Sequence, residues 1–310
     1  SNMASHPLQL GLDIGSTTIK LVLLDGHNVR YSTYRRHHAD ILGELREVLD
    51  DVSSEFPDVQ VAGAVTGSGG MRVATVLGLP FVQEVIAGTE AITLFNPGTD
   101  VVIELGGEDA KITYLGDVPE QRMNGTCAGG TGAFIDQMAT LLRTDAAGLN
   151  DLAKDYEQLY PIASRCGVFA KSDLQPLLND GAPLPDLAAS IFTSVVQQVV
   201  SGLACGRPIR GNVVFLGGPL YFLSELRAAF QRILGDKANF SIPERAQLYV
   251  AIGAALLADQ APLPLADLVD RANQTLTMPA ESQRMRPLFA NPEERATFDN
   301  RHAQVRIPRR

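Results

Sequence analysis

The chain has 310 residues, of which 45% are hydrophobic and 20% are charged, and its formal net charge is -9. This length suffices for one large two-lobed unit or two ordinary domains, and the composition is typical of a globular protein with a hydrophobic core. The acidic balance argues against a nucleic-acid partner, because nucleic-acid-binding proteins usually present a basic face. No apolar run reaches the roughly 18 residues of a membrane helix, so no membrane partner is expected either.

The beginning of the chain and its cysteines bear on cellular location. The first ten residues, SNMASHPLQL, lack the basic segment and apolar core of a signal peptide. Ser1 and Asn2 ahead of Met3 look like a remnant of tag removal. The three cysteines form an odd, sparse set, which argues against a disulfide framework. We therefore expect a cytoplasmic protein with reduced thiols.

The first third of the chain predicts alternating strands and helices. Leu8–Leu24 reads as two apolar strands around the turn DIGST, and residues 40–56 carry apolar side chains at helical spacing. Val61–Val65 predicts a buried strand that ends in the turn TGSGG, and Glu84–Phe95 predicts a helix. A Pro-Gly pair then breaks the helical pattern.

The same order of elements recurs in the second part. Strands Val101–Leu105 and Ile112–Leu115 predict a second hairpin, and a glycine-rich loop then leads into a helix near Thr131. A later strand is expected at 213–216, and further helices are expected at 147–160, 168–178, 184–205 and 248–257. Another helix, which carries Leu223, Leu226 and Phe230, is expected after the glycine turn at 217–219. This order is typical of an α/β chain with one internal duplication.

The duplication suggests how the chain divides. Residues 7–96 together with 246–260 are expected to form lobe I, and residues 97–245 to form lobe II with nucleotide and cysteine motifs. After Ala261 the sequence becomes polar and is interrupted by prolines. We expect residues 261–310 to be a C-terminal tail or linker.

The two predicted hairpins carry near copies of one motif, LGLDIGSTTIK (Leu10–Lys20) and VIELGGEDAK (Val102–Lys111). In each, an apolar strand ends in an acid, and a glycine-containing turn and a lysine come next. Such a turn lets backbone N–H groups face a phosphate, because glycine has no Cβ to block the approach. One turn is weak evidence, since ordinary hairpins use the same residues. The second copy favours a duplicated lobe that closes on a nucleotide.

The expected ATP and Mg²⁺ site draws on both turns. Asp13 is expected to hold Mg²⁺ through water, and Ser16 and Thr17 to donate hydrogen bonds to phosphate oxygens. Glu108 and Asp109 are alternatives for the acid that orients the attacking water. The other predicted nucleotide-binding residues are Gly15, Thr18, Lys20, Gly106, Gly107, Lys111, Gly130, Gly217 and Gly218.

Cys127 and Cys166 lie in glycine-containing loops directly before predicted helices. A helix N-terminus stabilises a thiolate or the anionic sulfurs of an iron–sulfur cluster. Two buried, unreactive cysteines are an equally weighted alternative on chemistry alone. Cys205 lies in an apolar helical pattern and is expected to pack in the core.

None of the histidines lies at zinc-site spacing from a cysteine. All five are therefore expected at the surface: His6, His27, His37, His38 and His302.

These motifs resemble the activators of 2-hydroxyacyl-CoA dehydratases in the BadF/BadG/BcrA/BcrD ATPase family. The resemblance covers roughly residues 8–258, and the two cysteine motifs are its most specific part. It rests on LGLDIGSTTIK, VIELGGEDAK, NGTCAGGTGAFIDQMA, SRCGVFAKSDLQPLLNDG, VVFLGGPLYF and VAIGAALLA. The segment RPLFANPEERATFDNRHAQ is similar to the stretch after the activator domain in large fused activases. The chain thus resembles an excised N-terminal domain.

The resemblance implies a duplicated actin-like, Hsp70-like and sugar-kinase-like (ASKHA) α/β fold, with two lobes around a nucleotide cleft. It implies a homodimer that holds one [4Fe–4S] cluster, to which Cys127 and Cys166 of two chains would supply the ligands. ATP hydrolysis would drive an electron from this cluster to a dehydratase-type iron–sulfur partner or fused domain. A ferredoxin or flavodoxin is the implied electron donor.

Glu104 and Glu108 stand where the family usually has Asp and Gln, which leaves the water-positioning residue open. The alternative function is a small-molecule kinase of the amino-sugar type on the same fold. A kinase needs a base for its substrate hydroxyl and has no use for Cys127 and Cys166. An ATP-gated binding module without a redox role is a third, weaker alternative.

Overall fold

The computed structural model describes residues 6–124, 131–163 and 167–277. The strands are β1 (Leu8–Ile14), β2 (Thr18–Asp25), β3 (Asn28–Arg36), β4 (Gln60–Thr66), β5 (Val101–Leu105), β6 (Ala110–Tyr114), β7 (Glu120–Asn124), β8 (Gly211–Leu216), β9 (Ala238–Ser241) and β10 (Leu263–Pro264). The helices are α1 (Ile41–Glu55), α2 (Gly70–Leu77), α3 (Glu84–Phe95), α4 (Gly132–Leu141), α5 (Ala146–Ala153), α6 (Gly167–Asn179), α7 (Leu184–Gln197), α8 (Gly218–Phe222), α9 (Ser224–Leu234), α10 (Tyr249–Leu256) and α11 (Leu265–Thr277).

The strands form two five-stranded sheets with the orders β10-β4-β1-β2-β3 and β7-β6-β5-β8-β9. Both sheets contain the same four-strand unit, in which an antiparallel hairpin gains a third antiparallel strand on one side. On the other side, the first strand of each hairpin pairs in parallel with a later strand, β4 or β8. The predicted internal duplication is therefore present in the order and direction of the strands.

Each sheet has its own hydrophobic core, and a third cluster of buried residues joins the two sheets through helices α3 and α10. Residues 1–272 belong to one compact unit, and Asn273–Arg310 belong to a second unit. The described part of the second unit is the end of α11. Among the helices of the described ranges, none combines the length and apolar character required to cross a membrane.

Helix α5 is shorter than the predicted helix 147–160, because buried side chains of α7 compete for the backbone of the next segment. The backbone N–H groups of Glu157 and Gln158 donate to Asp186 Oδ1 at 2.8 and 3.2 Å. The N–H of Tyr160 donates to Ser190 Oγ at 2.8 Å. These bonds hold the segment in a non-helical conformation and satisfy two buried polar side chains.

The segment after Ala261, predicted as a tail, begins with folded structure. Strand β10 pairs with β4, and helix α11 comes directly after it. Leu265, Leu268 and Ala272 of α11 are buried in the core of the first sheet. Of the prolines that suggested a linker, Pro262 and Pro264 precede the helix, where a missing N–H group costs little.

Helices α3 and α10 cross at a point where only glycine fits. A Cβ on Gly253 of α10 would overlap the carbonyl oxygen of Ala87 in α3. At Gly88 of α3, by contrast, the nearest atom to an added Cβ is Val250 Cγ2 at 3.8 Å, an ordinary contact.

We expect Gly253→Ala to lower the free energy of unfolding by about 1–3 kcal/mol, because the crossing must widen to admit the methyl group. The matched control, Gly88→Ala, should be neutral or stabilising by up to about 1 kcal/mol, because alanine favours the helix. Urea unfolding followed by circular dichroism measures both. Equal destabilisation by the two variants would contradict the close crossing.

Candidate nucleotide-binding site

The register of the two hairpins places an acid directly opposite a lysine in each sheet. Asp13 of β1 faces Lys20 of β2, and Glu104 of β5 faces Lys111 of β6. Lys20 Nζ lies 3.3 Å from Asp13 Oδ2, and Lys111 Nζ lies 3.8 Å from Glu104 Oε1. The duplication therefore extends from the strand order to the charged side chains.

A polar cavity lies between the two turns. From the first hairpin it is lined by Asp13, Gly15, Ser16, Thr17, Thr18 and Lys20. From the second it is lined by Glu104, Gly106, Gly107, Asp109 and Lys111. The two turns also touch each other, because a Cβ on Gly107 would overlap the hydroxyl of Thr17. Only glycine permits this approach.

A larger cavity of about 280 Å³ adjoins the polar one, and Thr17, Thr18 and Gly107 line both. Its walls include the apolar side chains Tyr34, Ile135, Pro219, Phe222 and Leu223. A polar cavity that opens into an apolar one suits a ligand with a charged tail and a flat hydrophobic head.

Elements that belong to both halves of the fold line the larger cavity. Arg36 at the end of β3 lies 3.8 Å from Asp136 of α4, and both residues line the cavity. Gly218 also lines it, and a Cβ there would overlap the hydroxyl oxygen of Tyr34. The prediction that Gly218 lies at the nucleotide site therefore agrees with its place in the lining of this cavity.

Two predicted residues do not line the polar cavity, and a third is not among the described residues. Gly217 lines neither cavity; it has φ +94°, and a Cβ would overlap the carbonyl oxygen of Leu105, so its glycine is required by the neighbouring strand. Glu108 is exposed and does not line the polar cavity, whereas Asp109 does. Gly130 lies outside the described residues.

Glu84, the first residue of α3, also lines the polar cavity and was not predicted from the sequence. Its carboxylate accepts a hydrogen bond from Lys111 Nζ. Burial disfavours the charged form of Lys111, but the negative charges of Glu104 and Glu84 favour it more strongly. The pKa of Lys111 is therefore raised. Burial also raises the pKa of Glu104, against the opposing effect of Lys111. In the sequence, the one feature that could have pointed to Glu84 as a site residue is its position as an acid at a predicted helix N-terminus.

Two buried oxygen atoms at the end of the first sheet have no hydrogen-bond partner within residues 6–124, 131–163 and 167–277. They are Asp13 Oδ1 and Thr66 Oγ1. The two residues are paired across β1 and β4, so the unpaired atoms belong to neighbouring strand ends. Buried polar atoms are nearly always satisfied, so unpaired atoms beside a polar cavity indicate a place for a ligand, an ion or water.

The cysteine predictions have different outcomes. Cys127 and Cys166 lie outside the described residues. Helix α6 begins at Gly167, directly after Cys166, as predicted. The prediction for Cys205 is wrong: it is exposed, with φ +46°. The apolar pattern continues from α7 only through the π-helical segment Gln198–Leu203, after which the chain turns.

The surface prediction is wrong for His37, which is only 3% exposed. Its ring contacts the first turn, where Nε2 lies 2.9 Å from the carbonyl oxygen of Gly15. The exposed histidines are His6, His27 and His38. His302 lies beyond the described residues.

Comparison with known proteins places the chain in a family. The sequence matches the BadF/BadG/BcrA/BcrD ATPase family over residues 10–258. The 2-hydroxyisocaproyl-CoA dehydratase activator of Clostridioides difficile is 32% identical over 257 residues, which cover 80% of this chain and 94% of that protein.

Solved structures show the same fold. Component A of the Acidaminococcus fermentans (R)-2-hydroxyglutaryl-CoA dehydratase superposes with a TM-score of 0.73 at 27% identity, over 86% of this chain and 100% of that chain. The activator of the 2-hydroxyisocaproyl-CoA dehydratase from Clostridium difficile, solved with bound ADPNP, gives 0.69 at 26% identity, over 91% and 100%. These similarities confirm the predicted two-lobed, actin-like, Hsp70-like and sugar-kinase-like α/β fold. The chain therefore belongs to the BadF/BadG/BcrA/BcrD ATPase family, and it is an ATP-hydrolysing enzyme.

Proposed function

We propose that this ATPase is the activator of a 2-hydroxyacyl-CoA dehydratase. The main support for this proposal is the match to a dehydratase activator over 94% of that protein's length. The site is consistent with an ATPase, since a polar cavity between two glycine turns adjoins a larger, mainly apolar cavity. The proposed partner is a dehydratase-type iron–sulfur protein or fused domain.

Mg²⁺ fits the polar cavity. Among residues 6–124, 131–163 and 167–277, no three His, Cys, Asp or Glu side chains are placed to hold a metal ion. We assign Mg²⁺ to Asp13, together with water and phosphate oxygens, which is the usual environment of Mg²⁺ at phosphate sites. The unpaired Asp13 Oδ1 supports this assignment. When bound, the ion neutralises charge on the phosphates.

The assignment of the water-orienting acid rests on the lining of the cavity. We assign the role to Asp109, which lines the polar cavity, rather than to exposed Glu108. A carboxylate at that position can accept a hydrogen bond from a water beside the terminal phosphate and hold it for attack.

Asp109→Asn should lower kcat for ATP hydrolysis about a hundredfold, because the amide is a weaker acceptor and cannot take up a proton. The matched control is Glu108→Gln, which should stay within about twofold. Steady-state phosphate release measures both variants. A larger loss in Glu108→Gln than in Asp109→Asn would reverse the assignment.

We further propose that two chains hold one [4Fe–4S] cluster through Cys127 and Cys166, and that the cluster supplies a low-potential electron to the partner. Two thiolates per chain provide the four ligands that such a cluster needs. The described segments beside the cysteines support the proposal: a Cβ on Gly167 would lie 3.8 Å from Phe134 Cδ2, so the starts of α6 and α4 are neighbours. Their N-termini would stabilise the negative cluster.

Exposed apolar residues beside Cys166 support a protein contact there. Val168 and Phe169 are 70% and 63% exposed, although both are large and apolar. Clusters of this kind often mark protein–protein contacts.

A ferredoxin or flavodoxin is the proposed electron donor. The cytoplasmic location remains a prediction.

Reconstitution tests the activator function. The anaerobically purified chain is mixed with a 2-hydroxyacyl-CoA dehydratase, a low-potential reductant and MgATP, and dehydration of the thioester is followed. Product should form only with all components present. ATP-dependent phosphorylation of an amino sugar, without dehydratase activation, would instead support the kinase alternative.

A further inference from the structure

We propose that His37 is a positioning residue that holds the first phosphate turn in the shape that binds ATP. The inference rests on the proposed nucleotide site, because the turn that His37 contacts lines the polar cavity. His37 comes directly after β3 and lies behind the turn, outside the residues that line either cavity. It would therefore act through the backbone of the turn and not on the nucleotide itself.

The two ring nitrogens of His37 have opposite hydrogen-bonding roles. The backbone N–H of Ala39 lies 3.1 Å from Nδ1, and the carbonyl oxygen of Gly15 lies 2.9 Å from Nε2. A backbone N–H only donates and a carbonyl oxygen only accepts, so Nδ1 must accept and Nε2 must donate. We assign the neutral tautomer with its proton on Nε2 from these partners.

The backbone of the same residue holds the other end of the turn. The His37 N–H donates to the carbonyl oxygen of Thr17 at 3.1 Å. Side chain and backbone of His37 thus contact Gly15 and Thr17, the two residues that flank Ser16. Both carbonyl groups are held away from the cavity, which leaves the N–H and hydroxyl groups of the turn to face a phosphate.

The loop that carries His37 is built to place the ring. His38 and Ala39 both have left-handed φ angles, +47° and +64°. Residues other than glycine adopt this region at a cost, so two in succession need compensation. The bond from Ala39 N–H to Nδ1 and the bond from Asp40 N–H to the His37 carbonyl at 2.8 Å provide it. Asp40 then caps α1, which anchors the loop.

A matched pair of variants separates positioning of the turn from support of the loop. In His37→Gln the amide nitrogen reaches about as far as Nε2 and can still donate to Gly15. In His37→Asn the side chain is shorter; its oxygen can replace Nδ1 as acceptor for Ala39, but nothing reaches Gly15. His38→Asn, at the exposed neighbouring position, is the control, because asparagine tolerates a left-handed φ.

We expect His37→Asn to raise KM for ATP about three- to tenfold, the effect of one lost hydrogen bond, with a smaller change in kcat. His37→Gln and His38→Asn should stay within about twofold of the wild type. Equal KM values for His37→Gln and His37→Asn would overturn the inference. If the wild type itself bound no ATP, the nucleotide-site assignment would fail, and this inference with it.

A measurement on the unaltered chain covers the case in which a variant does not fold. ¹⁵N NMR of histidine-labelled protein distinguishes protonated from unprotonated ring nitrogens. The buried His37 should show the Nε2-protonated neutral form. Its Nε2 signal should shift when MgATP binds, because phosphate held by the turn polarises the peptide whose carbonyl oxygen, that of Gly15, accepts from Nε2. A proton on Nδ1, or a spectrum unchanged by MgATP, would overturn the proposal.

Discussion

Asp13→Asn is expected to reduce ATP hydrolysis by at least about a hundredfold while the protein stays folded. Loss of the carboxylate charge removes the proposed anchor for Mg²⁺, and metal-assisted charge stabilisation contributes several kcal/mol to such reactions. Asparagine has nearly the same volume, and its amide oxygen can still accept from Lys20, now 3.3 Å from Asp13 Oδ2. Phosphate release and circular dichroism measure the two outcomes.

Asp25→Asn is the matched control for this prediction. Asp25 ends β2 of the same hairpin, but its carboxylate pairs with His6 and Arg30 away from the cavity. This variant should retain full hydrolysis. Unchanged turnover in Asp13→Asn, with the same Mg²⁺ dependence as the wild type, would rule out the assigned role.

Cys127→Ser and Cys166→Ser are each expected to abolish the iron content of the anaerobically purified protein. The wild type should be brown and hold about four irons per dimer, as one [4Fe–4S] cluster requires. Serine is a poor ligand for such a cluster. Because the cluster would join the two chains, either variant should also dissociate more readily into monomers. ATP binding should survive, because the described residues that line the two cavities include no cysteine.

Cys205→Ser is the control for these variants. Cys205 is an exposed cysteine whose Sγ lies 3.1 Å from the carbonyl oxygen of Gly202. This variant should retain its iron and remain dimeric. A full cluster in anaerobic Cys166→Ser would show that the ligand assignment is wrong. Iron analysis, visible absorption and sedimentation decide between the outcomes.

Local patterns in the sequence determined the repeated architecture. An apolar strand, a glycine-containing turn and a second strand specify a hairpin within about ten residues, so both hairpins lie where the sequence predicts them. The acid and the lysine of each motif face each other because antiparallel pairing fixes the register once the turn is known. Helices α1 and α3 begin and end within a residue of their predicted bounds.

The distant groups that complete the site come together only through the packing of the folded chain. Glu84 meets Lys111 across 27 residues, and His37 meets Gly15 across 22. Neither pair has a periodic or motif signal, because the contact depends on how sheets, helices and loops pack and not on local chain preference. The same reason explains α11 and Cys205. Burial against a remote sheet stabilises a helix at residues 265–277, in the first part of the predicted tail. Cys205 is exposed because the π-helical segment that continues α7 ends at Leu203.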